Sequence, residues 1–140
     1  MKKIIIKAGI VGSSGYTGGE LIRLLISHPF VDLKFALSKT KKNKKITDVF
    51  VDLTDETDIY FTDKIEKKID VLFLCSGHNK SKLFLEENHI DKSTRIIDLS
   101  QDFRNDNFFI KTKRKFIYGL PEINKSLIEK AYNIAKKACR

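Results

Sequence analysis

Gly9, Gly12, Gly15 and Gly18 fall at every third position of the stretch G-I-V-G-S-S-G-Y-T-G-G-E-L, which runs from Gly9 to Leu21. This spacing suits a backbone that must turn tightly and admit an anion to bare N–H groups. Gly12 and Gly15 are candidates for the turn and the close approach. Ser13, Ser14 and Thr17 add hydroxyls for phosphate oxygens. The spacing G-x-x-G-x-x-G differs from the usual dinucleotide fingerprint G-x-G-x-x-G, and no Gly-Lys-Ser/Thr of a P-loop follows. The plainer reading is a structural turn. Two cysteines, Cys75 and Cys139, are too few for a disulfide framework, so each is either a core thiol or a reactive one.

The elements around the glycines favour the phosphate reading. Ile4 to Val11 is apolar and β-branched, a strand buried on both faces. Glu20 to His28 reads as a helix with Leu21, Leu24 and Leu25 on one stripe and Pro29 after its end. Asp32 to Leu37 alternates with period two and reads as a second strand. Two weaker strands are expected at 49–53 and 59–62. A strong one follows at 70–75, then a helix over 80–89 and a short strand at 95–99. Asn124 is the expected N-cap of a last helix reaching Lys136, with Leu127, Ile128, Ala131, Ile134 and Ala135 on its apolar stripe. Strands alternating with helices predict an α/β fold: a doubly wound, mostly parallel sheet with helices on both faces. Ligands of such sheets bind at the carboxyl ends of the strands. There the glycines lie, between a strand and a helix, as a dinucleotide site requires.

The end of the second strand selects the cofactor. A site for NAD usually carries Asp or Glu there, to accept from the ribose 2′-OH. Here the strand ends Leu37-Ser38-Lys39-Thr40-Lys41, without an acid. Hydroxyls and cations suit a 2′-phosphate, which predicts NADP(H) held by Ser38 and Lys39 or Lys41.

Composition bounds the remaining classes. A chain of 140 residues is expected to form one domain with a real core. No apolar run approaches the ~20 residues of a membrane span. Lys7 interrupts the N-terminal isoleucines, which read as a strand rather than a signal peptide, so a cytoplasmic location is expected. The net charge of +9 raises nucleic acid as a partner. The dense run Lys39, Lys41, Lys42, Lys44 and Lys45 has no interleaved aromatic residues, however, and reads as a mostly solvated loop. Neither nucleic acid nor membrane is the expected partner, and no metal-ligand pattern is present.

Four motifs in register then carry a family resemblance. They are G-S-S-G-Y-T-G-G-E-L (12–21), V-L-F-L-C-S-G-H (71–78), I-I-D-L-S-Q-D-F-R (96–104) and Y-G-L-P-E (118–122). Together the chain resembles the N-terminal, NADP-binding part of N-acetyl-gamma-glutamyl-phosphate reductase, an enzyme of arginine biosynthesis. The resemblance implies a Rossmann-like domain over 1–140, incomplete, with the family's catalytic and dimerisation domain absent from this chain. It implies NADPH-dependent reduction of an acyl phosphate, N-acetyl-glutamyl 5-phosphate, to the semialdehyde. A cysteine thiolate would displace phosphate, hydride from the nicotinamide would reduce the thioester, and a histidine would serve as acid and base. It also implies that the full-length enzyme is a homo-oligomer and that this chain alone is inactive.

Carried over by position, the segment Gly9, Gly12, Ser13, Ser14, Gly15, Tyr16, Thr17 and Gly18 corresponds to the cofactor phosphate site, and Ser38 with Lys39 to the adenosine ribose. Cys75 and Ser76 end a strand where the cofactor should pass. Cys75 with His78 as its base is a tempting catalytic pair, but the family does not use one there, and a buried strand-end thiol is the commoner fate. Ser100 and Arg104 are the substrate candidates. Arg104 reads either as an anion contact or as an ion-pair partner of Asp102 or Asp106. Tyr118 to Glu122 reads as a rigid turn. The family's nucleophile lies in a segment like I-A-N-P-G-C. Here Ile134-Ala135-Lys136-Lys137-Ala138-Cys139 places Cys139 at the matching distance, without the Asn-Pro-Gly turn.

Other functions remain open at this point. One is a related acyl-phosphate reductase of lysine biosynthesis. Aspartate-semialdehyde dehydrogenase is another, although Y-G-L-P-E argues against it. The last is a non-catalytic nucleotide-binding module.

Overall fold

The computed structural model of the chain describes residues 4–104 and 114–136. Cys139 and Asp106 lie outside the described residues. The described residues form seven strands: β1 (Ile6–Val11), β2 (Val31–Leu37), β3 (Phe61–Thr62), β4 (Val71–Leu74), β5 (Arg95–Asp98), β6 (Ile117–Gly119) and β7 (Asn133–Lys136). They form one sheet in the order β3-β2-β1-β4-β5-β7-β6. Every strand pair is parallel. The helices are α1 (Tyr16–Ile26), α2 (Ile46–Val49), α3 (Lys80–Glu87) and α4 (Pro121–Lys130).

The two faces of the sheet carry separate cores, as alternation along the strands requires. On one face, Ala8 and Ile10 of β1 pack with Ile22 and Leu25 of α1, and with Ile46 and Phe61. On the other, Val11, Leu72 and Leu74 pack with Phe84 and Leu85 of α3 and with Phe103. Helices on both faces of a parallel sheet make the fold doubly wound, as expected. β1 lies at its centre, with β2 on one side and β4 on the other. The sheet's topological switch point is therefore at the end of β1.

Four elements differ from the sequence reading. Helix α1 begins at Tyr16, not Glu20, so Gly18 and Gly19 are helical and buried. Glycine's poor helix propensity conceals this turn, and close packing overrides it. A Cβ on Gly19 would meet the Phe50 ring at 2.5 Å. The strand expected at 49–53 is helical instead, shared between α2 and a 3-10 turn at Val51–Leu53. Asp48 accepts from the Lys45 N–H at 3.2 Å, and Asp52 binds Arg23 of α1 at 2.6 and 2.8 Å. These contacts fold the short apolar run against α1, and its period alone could not decide between strand and helix.

The last helix ends at Lys130, and Asn133 to Lys136 is strand β7. Ile134 and Ala135 fit a helical stripe and a short buried strand equally well. Nor is Asn124 an N-cap. The helix opens at Pro121, whose missing N–H suits a first turn. Asn124 lies inside it with non-helical φ and ψ, and its side chain donates to the Tyr118 carbonyl at 3.1 Å. The expected rigid turn at 118–122 is thus the end of β6 and the start of α4.

Candidate functional site

The carboxyl ends of the central strands are level. Val11 pairs with Leu37 and with Leu74, and Leu74 pairs with Asp98. The segments that follow, 12–15, 38–41, 75–79 and 99–104, form one continuous rim. The glycine turn is its centre.

Gly12 has φ of +75°, a conformation that side chains resist. A Cβ there would lie 2.8 Å from the backbone of Cys75 and Ser76. Gly18, in the first turn of α1, would collide with the Gly12 carbonyl at 2.6 Å. These two glycines press the turn onto the neighbouring strand end and onto the helix. Gly15 is the N-cap of α1, and no side chain caps this terminus. The N–H groups of Tyr16, Thr17 and Gly18 have no acceptor within the helix. A Cβ on Gly15 would meet only the Gly12 carbonyl, at 3.7 Å, so the approach is open. The first turn contains no acid. An open, uncapped helix start facing a glycine turn fits a pyrophosphate.

Not every residue of the ladder faces that opening. Gly9 lies within β1, where a Cβ would strike the Phe35 ring at 2.4 Å, so its need for glycine is explained by packing. Ser13 is fully buried, and its hydroxyl donates to the Leu37 carbonyl at 2.9 Å. The same carbonyl accepts from the N–H groups of Gly12 and Ser13, both at 3.1 Å. The Ser13 hydroxyl is thus engaged by the end of β2. Thr17 and Tyr16 are exposed on the first turn of α1.

At the end of β2, the Ser38 and Ser14 hydroxyls are 2.7 Å apart. Ser38 also accepts from the Lys41 N–H at 3.3 Å. Within the lysine run, Lys42 pairs with Asp63 at 2.5 Å and Lys45 with Asp58 at 3.7 Å. Lys39, exposed, and Lys41, half-buried, form no ion pair among the described residues. The rim on this side of β1 thus presents hydroxyls and unpaired cations.

On the other side of β1, Cys75 has its N–H on the Val11 carbonyl at 2.8 Å. Its thiol is pushed up to about 12, first by burial and then by the Asp98 charge. A thiol held so far above neutrality is not a nucleophile. Asp98 is fully buried, and desolvation raises its own pKa. Ser100, the substrate candidate, is turned inward: its hydroxyl donates to Asp98 at 2.8 Å and accepts from the Asp102 N–H at 3.1 Å. The Ser100 hydroxyl is thus engaged within its own turn. Arg104 donates through Nε to the Ser100 carbonyl at 3.1 Å and forms no ion pair with Asp102 among the described residues. Asp106, the other candidate partner, lies outside the described residues.

Asp102, read from the sequence only as a partner for Arg104, has a different role. Its carboxylate accepts from the N–H groups of Asn79, at 2.7 Å, and Lys82, at 3.0 Å. His78 Nδ1 is 3.5 Å away. The sequence signal was the Asp-x-Ser-x-Asp spacing, which favours side chain to backbone bonds in a turn. Among the described residues, no cluster of His, Cys, Asp and Glu could hold a metal ion, and no helix is long and apolar enough to cross a membrane.

Comparisons with known proteins agree with this geometry. Residues 7–131 match the family model for the semialdehyde dehydrogenase NAD-binding domain. A protein of Christiangramia forsetii named N-acetyl-gamma-glutamyl-phosphate reductase is 46% identical over 138 residues, covering 96% of this chain and 41% of its own length. A protein of the same name from Phocaeicola vulgatus is 47% identical over 137 residues, with the same coverage. The chain therefore spans about two-fifths of the length of these curated relatives. In fold it resembles aspartate semialdehyde dehydrogenase from Candida albicans, solved with NADP. The TM-score is 0.62 and the identity 17%, over 94% of this chain and 42% of that one.

Proposed function

Because the chain belongs to the family of the semialdehyde dehydrogenase NAD-binding domain, we propose that it is the cofactor-binding part, over 1–140, of an NADP-dependent reductase. Its substrate is an acyl phosphate, N-acetyl-glutamyl 5-phosphate, and its product the semialdehyde, a step of arginine biosynthesis. The substrate rests on the names of relatives 46% and 47% identical over 96% of the chain. The single observation that carries the cofactor is the open start of α1 beside an acid-free end of β2.

A nicotinamide cofactor held on this rim would supply the hydride for the reduction. The chain's own residues hold and orient it. The amides of Tyr16, Thr17 and Gly18 bind the pyrophosphate, with Gly12 and Gly15 permitting the approach. Ser14, Ser38, Lys39 and Lys41 receive the 2′-phosphate. Cys75 and Ser76, across the switch point from Ser38, would line the nicotinamide end of a bound dinucleotide. Arg104 is the chain's cation for the substrate phosphate. Cys75 does not attack: a nucleophile must be ionised at working pH. Cys139, outside the described residues, keeps the position that the resemblance gives the nucleophile.

Titration of the 140-residue chain with NADPH and NADH tests the cofactor. Saturable binding with NADPH the tighter ligand is expected; tighter binding of NADH overturns the reading. For the substrate, the longest gene product carrying this chain should oxidise NADPH only when N-acetyl-glutamyl phosphate is present.

A further inference from the structure

Two helices begin on the rim, and only one of them is open. The start of α1 has no side-chain cap. The start of α3 is closed by a carboxylate from another segment. Asn79, the N-cap of α3, has φ of 62° and makes no capping bond with its own side chain. Asp102 supplies that bond from 23 residues away, reaching Asn79 with Oδ1 and Lys82, in the first turn, with Oδ2. Its side chain is 1% exposed. It is held from behind: Ser100 accepts from its N–H, Ser100 binds Asp98, and Phe103 is buried in the core, stacked on Phe116 at 4.2 Å.

We propose that Asp102 is a positioning residue for the nicotinamide end of the cofactor groove, holding the Cys75–Asn79 loop in place by capping α3. The inference rests on the cofactor reading above. Asp102 acts in two ways. It ties the loop after β4 to the loop after β5, so that Cys75 and Ser76 stay against Gly12, where a Cβ would find them 2.8 Å away. It also neutralises the α3 terminus, leaving α1 as the one open anion site of the two. A preordered wall lowers the ordering cost of binding. The loop lies on the β4 side of the switch point, away from Ser38 and Lys39, so its effect falls on the nicotinamide half of the cofactor alone.

The test compares two ligands on the 140-residue chain: NADPH, and adenosine 2′,5′-bisphosphate, which lacks the nicotinamide half. Asp102→Ala should weaken NADPH about tenfold and leave the bisphosphate within about twofold. Asp102→Asn, which keeps one accepting oxygen, should fall between wild type and Asp102→Ala. Hydrogen exchange at the Asn79 and Lys82 amides should quicken in both variants. If Asp102→Ala does not fold, Asp102→Asn carries the comparison alone. Equal loss for both ligands, or loss for neither, overturns the inference. A wild-type chain that binds neither ligand overturns the cofactor reading itself, and the inference with it.

Discussion

Ser14 and Ser38 meet hydroxyl to hydroxyl at 2.7 Å, joining the glycine turn to the end of β2. Ser38 is 4% exposed, so this contact fixes where the chain leaves the sheet and sends Lys39 outward. The position of the cations follows from a neutral contact between strand ends.

Charge reversal on that side should therefore act on one cofactor only. Lys39→Glu combined with Lys41→Glu is expected to weaken NADPH binding at least about tenfold. NADH binding should change little, and the salt dependence of NADPH binding should flatten. Fluorescence titration at two ionic strengths measures both. Equal loss for the two cofactors would separate the lysines from the 2′-phosphate.

The two glycines of the turn should answer differently to alanine. Gly12→Ala places a side chain at φ of +75° and 2.8 Å from the Cys75 and Ser76 backbone. A loss of about 1–3 kcal/mol in urea denaturation is expected. Gly15→Ala meets only an oxygen at 3.7 Å. It should stay within about 0.5 kcal/mol of wild type, yet weaken NADPH binding because the added methyl stands where the pyrophosphate approaches.

Cys75 should be chemically quiet. With its thiol pushed up to about 12, alkylation mapped to Cys75 by mass spectrometry should be slow at pH 8. The sign of the pH effect on stability is fixed. The folded state holds this proton more tightly than the unfolded chain. Its contribution is complete below the ordinary thiol range and is lost as pH rises through about 12. Melting temperature should therefore fall more steeply above pH 9 in wild type than in Cys75→Ala.

The sheet core and its order of elements were legible because β1, β2, β4 and β5 are long or strongly apolar runs in strict alternation with helical segments. So was the glycine turn, since Gly12 takes its positive φ just where the strand ends. Illegible were elements whose period is too short to settle. Ile134 and Ala135 serve a stripe or a strand alike, and the run at 49–53 folds as a helix tied to α1 by Arg23 and Asp52, which meet across 29 residues. At the site, hydroxyl-bearing residues were read as free for a ligand. The Ser13 and Ser100 hydroxyls are engaged with Leu37 and Asp98. Sequence lists donors; only the fold tells which have already been used. The role of Asp102 was hidden for the same reason, as its partners are backbone amides of a distant helix.

The order β5-β7-β6 has a consequence for synthesis. β7, made after β6, is the strand that fills the gap between β5 and β6. Among the described residues β7 is the one neighbour of β6, so β6 has no described strand to pair with until Asn133 to Lys136 has left the ribosome. Arg114 waits as well, since it binds Asn133 at 3.0 Å while also holding the Thr94 carbonyl. The cofactor rim, built from β1, β2, β4 and β5, can assemble before β7 is made, whereas β6 waits for it. A nascent chain arrested before Asn133 should accordingly bind the adenosine half of the cofactor while still offering β5 as an unpaired edge to other chains.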